Sequence, residues 1–354
     1  MKPLKLIDKW VAAIGLIPLL LMQGCVADDL SVCGVTVHFT YTKNLDHQDK
    51  FASEIRKVNL YVFKLRENTT TGFPANPQSD EYYFLLGDSV QGNPAQVNFD
   101  RYLRLDPGYY KFVVWGNLGD DYTKPVLIKD STRIDDLAVS LIYPNSNDVN
   151  RLPADLYHGM DAKQPNGEYN NYLEISTADL SRNRTLTIDM MKDTKHIKVR
   201  AKGLAVSSDD PSSFDLYQCR LSSTNAQYKF DNSITGNVRL RYIPDAKIDV
   251  DTALVSDFVI MREVYNTTHY GSSRLNLTRM PVIDEGGPMA DLDLLYYLVA
   301  YNQYVDSQEG QDILDRRDTY EITLFFDQTG ALVSVKIADW EIKDVISGGI
   351  GGER

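Results

Sequence analysis

The chain has 354 residues, with 37 Lys and Arg against 49 Asp and Glu, for a net charge of −12 at pH 7 with His neutral. That acidity excludes nucleic-acid binding, which takes a basic stripe, and electrostatic docking on an anionic membrane face. The length suits two domains at roughly 150 residues each, large enough to bury most of the unfolded surface in real cores.

The first element is N-terminal. Lys2, Lys5 and Lys9 surround the start of an apolar stretch, Trp10 to Met22. A membrane-spanning helix takes roughly 20 apolar residues, so this shorter run fits the apolar part of a secretory signal. The densest later run, Leu294 to Tyr301, is shorter still. The stretch closes on Leu20-Leu21-Met22-Gln23-Gly24-Cys25. A small residue followed by Cys at this place resembles the lipobox of bacterial lipoproteins. Met22 and Gln23 depart from the commonest form of that motif. The resemblance implies cleavage before Cys25, a lipid on its thiol, and stable attachment, since lipoproteins of this kind carry more than one acyl chain and one alone binds marginally. Asp28-Asp29 resemble a surface-export signal of Bacteroidota lipoproteins; a polar tether accounts for them equally.

Cysteine use is sparse, and with Cys25 lipidated only Cys33 and Cys219 remain. In an exported chain these two can join as a disulfide. A buried free thiol and a loop thiol fit the sequence too.

Short strand-like runs then follow in number. Val35 to Tyr41 alternates apolar and polar, as a half-buried strand does. Asp49 to Arg56 suits a short helix. Lys57 to Leu65 reads as a central strand. Asn68 to Gln78 is a loop rich in Thr, Gly and Pro. Val97-Asn98-Phe99 and Tyr102 to Leu105 lead into the turn Asp106-Pro107-Gly108, after which Tyr109 to Trp115 (YYKFVVW) is a strand. Ser131 to Val139 holds a helical turn or two, and Leu137 to Ile142 a short strand. Arg184 to Met190 and His196 to Lys202 alternate again, separated by the polar joint Lys192-Asp193-Thr194-Lys195. In the second half the strand-like runs are Phe214 to Leu221, Ala226 to Phe230, Val238 to Ile243, Phe258 to Arg262, Arg274 to Thr278, Leu294 to Tyr301, and the hairpin Tyr320 to Phe326 with Leu332 to Ile342. Many short strands at regular spacing point to β-sandwiches. The 22 Tyr suit half-buried strand positions. The Gly-rich tail Lys343 to Arg354 reads as a frayed end or as a donor strand.

Leu105-Asp106-Pro107-Gly108-Tyr109-Tyr110-Lys111-Phe112-Val113-Val114-Trp115-Gly116-Asn117 resembles a stretch of the FimB/Mfa2-like fimbrial anchor and accessory lipoproteins of Bacteroidota, where a Pro/Gly turn leads into Tyr-x-Phe-Val-x-Trp-Gly-Asn. Val58 to Phe63, Asp155-Leu156-Tyr157-His158-Gly159, Lys195-His196-Ile197-Lys198-Val199 and the Cys25 to Cys33 spacing are similar to further pieces of that family, and Ala338-Asp339-Trp340 more weakly. The resemblance implies an all-β protein: two tandem transthyretin-like β-sandwich domains after a lipoprotein signal peptide. The divisions expected are 1–24 for the signal, 25–33 for a lipidated tether, 34–192 for the first sandwich and 193–354 for the second. It also implies a place in type V pili at the outer membrane, with two partners: a fimbrial stalk subunit (fimbrilin), bound by β-strand complementation, and membrane lipid through Cys25. Asp88-Ser89-Val90, Asp130-Ser131-Thr132 and Asp251-Thr252-Ala253 resemble the O-glycosylation triplet of exported Bacteroidota proteins, which implies sugar on Ser89, Ser131 and Thr252.

Catalytic chemistry has no constellation here. The five His, at 38, 47, 158, 196 and 269, lack H-E-x-x-H spacing. There is no G-x-S-x-G elbow and no Walker or dinucleotide glycine pattern. Asp209-Asp210 and Asp291-x-Asp293 read as solvated carboxylates, His38 as solvent-facing, and His158 as a turn-stabilising hydrogen-bonder. No enzyme activity, cofactor or metal is expected. The alternative to a pilus role is a surface glycan-binding lipoprotein, stacking sugars on Tyr169, Tyr172 and neighbours Asn170 and Asn171.

Overall fold

The computed structural model describes residues 34–66, 81–144, 146–160, 162–163, 169–170, 172–176, 183–207, 209–213, 215–249, 253–265, 273–280, 289–299, 307–337 and 340–342. Alternation builds the first strand, β1 (Gly34–Thr40): Val35, Val37 and Phe39 are buried while His38 faces out. A single helical turn, α1 (Phe51–Glu54), buries Phe51 and leads into β2 (Lys57–Leu65). Next come β3 (Tyr82–Gln91), β4 (Arg101–Leu103) and β5 (Gly108–Gly116). β5 is buried almost throughout, because both faces of its sheet are covered. Its one cation, Lys111, lies with Nζ 4.6 Å from the centre of the Tyr82 ring. The rest of this half supplies β6 (Ala138–Ser140), β7 (Asp148–Val149), β8 (Tyr157–Gly159), β9 (Ala162–Lys163), β10 (Tyr169–Asn170), β11 (Leu173–Ile175), β12 (Asn183–Asp189) and β13 (Met191–Lys192).

Two sheets pack face to face in this half. One runs β10-β9-β12-β1-β4, with β1 and β12 parallel; the other runs β13-β8-β5-β2-β3, with β11 also on β5. Between them lies a dry cluster that includes Val37, Phe39 and Ile188 from one sheet and Leu60, Phe112 and Val114 from the other.

The second half contributes β14 (Thr194–Lys202), β15 (Tyr217–Ser223), β16 (Gln227–Lys229), β17 (Ile234–Thr235), β18 (Leu240–Tyr242), β19 (Ala246–Ile248), β20 (Leu254–Met261), β21 (Arg274–Arg279) and β22 (Ala290–Asp293). Helices α2 (Leu294–Val299) and α3 (Ser307–Arg316) precede β23 (Thr319–Phe326), β24 (Leu332–Ile337) and β25 (Trp340–Ile342). The sheets run β19-β20-β14-β23-β24-β25, β22-β21-β15-β18-β7 and β17-β16-β6. β6 and β7 therefore cross over: strands from the first half of the sequence complete sheets of the second. Arg241 fixes β7, with Nε 2.6 Å from Asp148 Oδ1. Trp115, at 0% exposure, shares one apolar cluster with Tyr122, Val139, Leu221 and Phe258, so the two halves are joined by apolar packing.

Several sequence expectations need correction. Leu294 to Tyr301 does not begin as a strand: it forms α2 through Val299, burying Leu294, Leu295, Leu298 and Val299 while Tyr296 stays 52% exposed. A continuous apolar run has no period to tell strand from helix. Val97 to Phe99 is a turn region, with Gln96 and Val97 N–H groups donating to the Asn93 carbonyl. β3 has no counterpart among the expected strands, because Gly87, Asp88 and Ser89 interrupt its pattern. The α3 helix is a further addition. Ala338-Asp339 and the tail 343–354 lie outside the described residues.

Candidate interface edges and the buried polar joint

A protein that binds by strand addition must offer backbone groups at a sheet edge. β3 pairs along its inner side with β2 from Tyr82 to Gln91. Among the described residues its outer side is covered only at the start. There the Phe84 N–H donates to Thr132 C=O (2.9 Å), and the Asp130 N–H to Phe84 C=O (2.8 Å). No described residue pairs with the outer side of Leu85–Gln91. Leu85 and Leu86 are half-buried there, and Gly87, Asp88 and Ser89 are exposed. Among the described residues, the side of β12 away from β1 is paired by β9 at Thr187 and Ile188 alone.

The residues of the Trp-Gly-Asn and Tyr-His-Gly elements turn out to be packing devices. A side chain on Gly116 would meet Tyr157 Cβ at 3.0 Å, and one on Gly159 would meet Ile188 Cγ2 at 2.7 Å. Asn117, at φ 56°, ties β5 to α1. Its Oδ1 accepts from the N–H groups of Arg56 (2.8 Å) and Lys57 (3.2 Å), and its Nδ2 donates to Glu54 C=O (2.9 Å). His158 reaches a turn of the other half, the one between β16 and β17. It is buried, and its Nε2 lies 2.9 Å from the Phe230 carbonyl, across to the second half. Burial pushes its pKa down to about 3.

Lys192, Asp193, Thr194 and Lys195 form a joint that is polar but buried. Burial costs these groups their water, so each must be paired. Lys192 Nζ sits 2.8 Å from Asp155 Oδ2, and Thr194 Oγ1 and His196 Nε2 lie 3.0 and 2.7 Å from Asp155 Oδ1. Burial alone would raise the Asp155 pKa; the hydrogen bonds from His196 and Lys192 outweigh it and hold it below the usual carboxylate range. Asn232 Nδ2 donates to Asp193 Oδ1 at 2.7 Å. Burial pushes Asp193 up to about 7. Arg262 clasps Asp315 on α3 with two bonds, 2.6 and 2.8 Å, the bidentate geometry that suits a buried guanidinium. Next to it, Glu263 accepts from Ser273 Oγ (2.7 Å) and Asn225 Nδ2 (3.0 Å), and burial pushes it up to about 7. Tyr41, directly after β1, donates to Asp318 Oδ2 at 2.6 Å. Tyr157 donates to Glu54 Oε2 at 2.7 Å. The joint therefore ties β1, α1, β8, β14, β20 and α3 into one network.

The remaining sequence candidates scatter. Ser89 and Ser131 are both exposed, on β3 and in the loop beside it. Cys219 is a buried free thiol on β15, its pKa pushed up to about 12 by burial. Cys25, Asp28, Asp29, Cys33, Asn171 and Thr252 lie outside the described residues. Asp291 is not simply solvated: it binds Arg274 Nε (2.8 Å) and Asn276 Nδ2 (2.6 Å). His38 does face out, 2.7 Å from Asp100. Among the described residues no cluster of His, Cys, Asp and Glu is placed to hold a metal, and no helix is long and apolar enough to cross a membrane.

The family model for fimbrillin-A associated anchor proteins Mfa1 and Mfa2 matches residues 30–346. The chain belongs to this anchor family. The Mfa2 family is structural and not enzymatic, and places the protein at the fimbrium and cell surface. Solved structures share the fold. The fimbrial anchor protein Mfa2 from Porphyromonas gingivalis is 16% identical with a TM-score of 0.65, over 88% of this chain and 98% of that one. A protein of Bacteroides thetaiotaomicron VPI-5482, provisionally described as polysaccharide binding, is 23% identical with a TM-score of 0.68, over 88% and 98%. A provisionally described adhesin from Bacteroides ovatus is 18% identical with a TM-score of 0.67, over 90% and 98%. A search of curated proteins found no match.

The joint's acceptors and donors lie far apart in the sequence. Lys192 to Lys195 was visible as a polar break, but a polar run usually marks solvent. The signal that marks burial here is a second one, Arg262-Glu263 following directly on the apolar strand β20.

Proposed function

We propose that this Mfa2-family protein is a lipoprotein held in the outer membrane through Cys25, and that it retains a fimbrial stalk subunit there by strand complementation. Family membership over 30–346 is the observation that carries the reading, and the lipobox-like Gly24-Cys25 supplies the tether. A donor strand laid along the outer side of Leu85–Gln91 would gain backbone hydrogen bonds, and its alternate side chains would meet Leu85 and Leu86. Open edges of this kind otherwise invite aggregation, and Gly87 and Asp88 blunt this one until a partner arrives. In this reading residues 34–192 and 193–354 are two transthyretin-like sandwiches, the second completed by β6 and β7. Ser89 and Ser131 stand exposed for glycosylation beside the same edge. Radiolabelled palmitate in the native host tests the tether: label enters the wild-type chain and not Cys25→Ala. An unlabelled wild-type chain contradicts it.

A second reading is glycan binding. It is favoured by the likeness to the Bacteroides thetaiotaomicron protein described as polysaccharide binding and by the Tyr109–Tyr172 ring pair, with centroids 5.8 Å apart. Calorimetry with surface glycans that shows saturable binding lost in Tyr172→Ala would support it; flat titrations would remove it.

A further inference from the structure

The buried joint contains one pair that its ion-pair and hydrogen-bond partners leave incompletely explained. Lys195 lies on β14 in the row of Ile197, Val199 and Ala201, all of them buried. Asp318 immediately precedes β23, in the row of Tyr320, Ile322 and Leu324, since side chains alternate along a strand. β14 and β23 are parallel neighbours, with His196 paired to Thr319 and the His196 N–H donating to Asp318 C=O at 2.8 Å. Lys195 and Asp318 thus stand side by side at the end of the apolar row. Lys195 Nζ is 3.6 Å from Asp318 Oδ1, and the lysine side chain is 3% exposed. Oδ1 is buried and accepts no hydrogen bond from a described residue. Oδ2 accepts from the Tyr41 hydroxyl, and Nζ is held by the Asp315 carbonyl at 2.8 Å.

We propose that Lys195 and Asp318 form an intramolecular amide, with Nζ joined to Cγ and one water released. The charged neighbours of the amine are Asp318, Asp315, Arg262 and Asp193. Burial lowers its pKa to about 8, although Asp318 and Asp315 favour the charged form, so a neutral nucleophile is accessible. The nitrogen lone pair adds to Cγ. Oδ1 remains as the amide carbonyl oxygen. Oδ2, already hydrogen-bonded by Tyr41, departs as water. The balance closes without a co-reactant: an ammonium and a carboxylate give an amide and water. Two of the three ammonium protons leave with Oδ2 and one stays on the nitrogen. Nothing is oxidised or reduced, and net charge is unchanged. The carbonyl of Asp315 aligns the amine, and Tyr41 places this chemistry at the seam between the two halves. The bond would fasten the strand that opens the second half to the strand that follows α3. Tension entering at β14 would then cross directly to β23 and bypass the chain between them.

Peptide mapping of the purified protein by mass spectrometry tests this. The expected result is a branched peptide containing both Lys195 and Asp318, lighter by one water than its two linear parts, with no tryptic cleavage at Lys195. It should vanish in Lys195→Arg and in Asp318→Ala, and persist in Lys198→Arg, which changes the opposite face of the same strand. Recovery of Lys195 and Asp318 from the wild-type protein only in separate linear peptides of full mass would overturn the proposal, whatever the variants do.

Discussion

The apolar layers around β2 and β5 and the polar joint at residues 192–195 are both fully buried, and they are held together by opposite means. Around β5, Phe112, Val113, Val114 and Trp115 have no exposed surface to speak of and are covered on both faces. Stability there scales with apolar area, and substitutions act in proportion to the volume they remove. In the joint, Asp193, Lys195, Arg262 and Glu263 are equally dry, but each depends on a named partner. Breaking one pair leaves a charge without water or counterion. The difference teaches that the halves meet in two ways: through apolar area, since Val113 and Trp115 belong to the cluster shared by both halves, and through the named polar partners of the joint. An anchor that carries load needs both.

The comparison can be broken at its strongest points first. Trp115→Ala should cost about 3–5 kcal/mol in chemical denaturation, as large-to-small changes of buried aromatics do; a change within about 0.5 kcal/mol would place the ring outside the core. Arg262→Ala should cost a similar amount, about 3–5 kcal/mol, because the partly buried Asp315 loses its counter-ion and keeps only the Gln311 hydrogen bond. Arg262→Ala combined with Asp315→Leu should recover part of that loss, whereas no second substitution in the apolar layer rescues Trp115→Ala. A loss in the double variant equal to the sum of the singles would show that the pair is not coupled.

Acidity separates the regions next. The folded pKa of Asp193 is raised to about 7, above an unfolded value near 3.9. The folded state therefore holds the proton more tightly, and this group's contribution to stability is fully present below about pH 4 and is lost as pH rises through about 7. Glu263 acts in the same sense. Asp193→Asn should gain stability relative to wild type between pH 4 and pH 8, by a margin that Trp115→Phe does not show. Parallel pH profiles for Asp193→Asn and wild type would contradict the assignment. The smallest effect belongs at the surface. Lys50→Ala removes the exposed ion pair with Asp46 and should move stability by no more than about 1 kcal/mol.

Legibility followed the same division. Alternation exposed β1, β12 and β14, and the dense run Tyr109 to Trp115 marked β5 as central, because burial of apolar residues writes itself into period and composition. The hairpin around Asp327 to Gly330 was readable for its turn chemistry: Asp327 Oδ1 accepts from the N–H groups of Thr329 (2.8 Å) and Ala331 (3.0 Å). Family membership was legible in the Trp-Gly-Asn and Tyr-His-Gly elements, whose glycines are required by close contacts. What sequence left hidden depends on distant partners. β3 pairs well despite Gly87 and Asp88, since an edge strand needs only one good side. β6 and β7 belong to sheets whose other strands lie many residues later. The polarity of Lys192 to Lys195 gave no sign that Asp155, Asp315 and Asp318 would converge on it.

The central claim is that this family member fastens a fibre to the membrane through its N-terminal lipid. Electron microscopy of the native host carrying Cys25→Ala tests it directly, with fibres counted on cells and in the medium. The account predicts fimbriae shed into the medium and cells left bare. Normally attached fimbriae in that strain would contradict it.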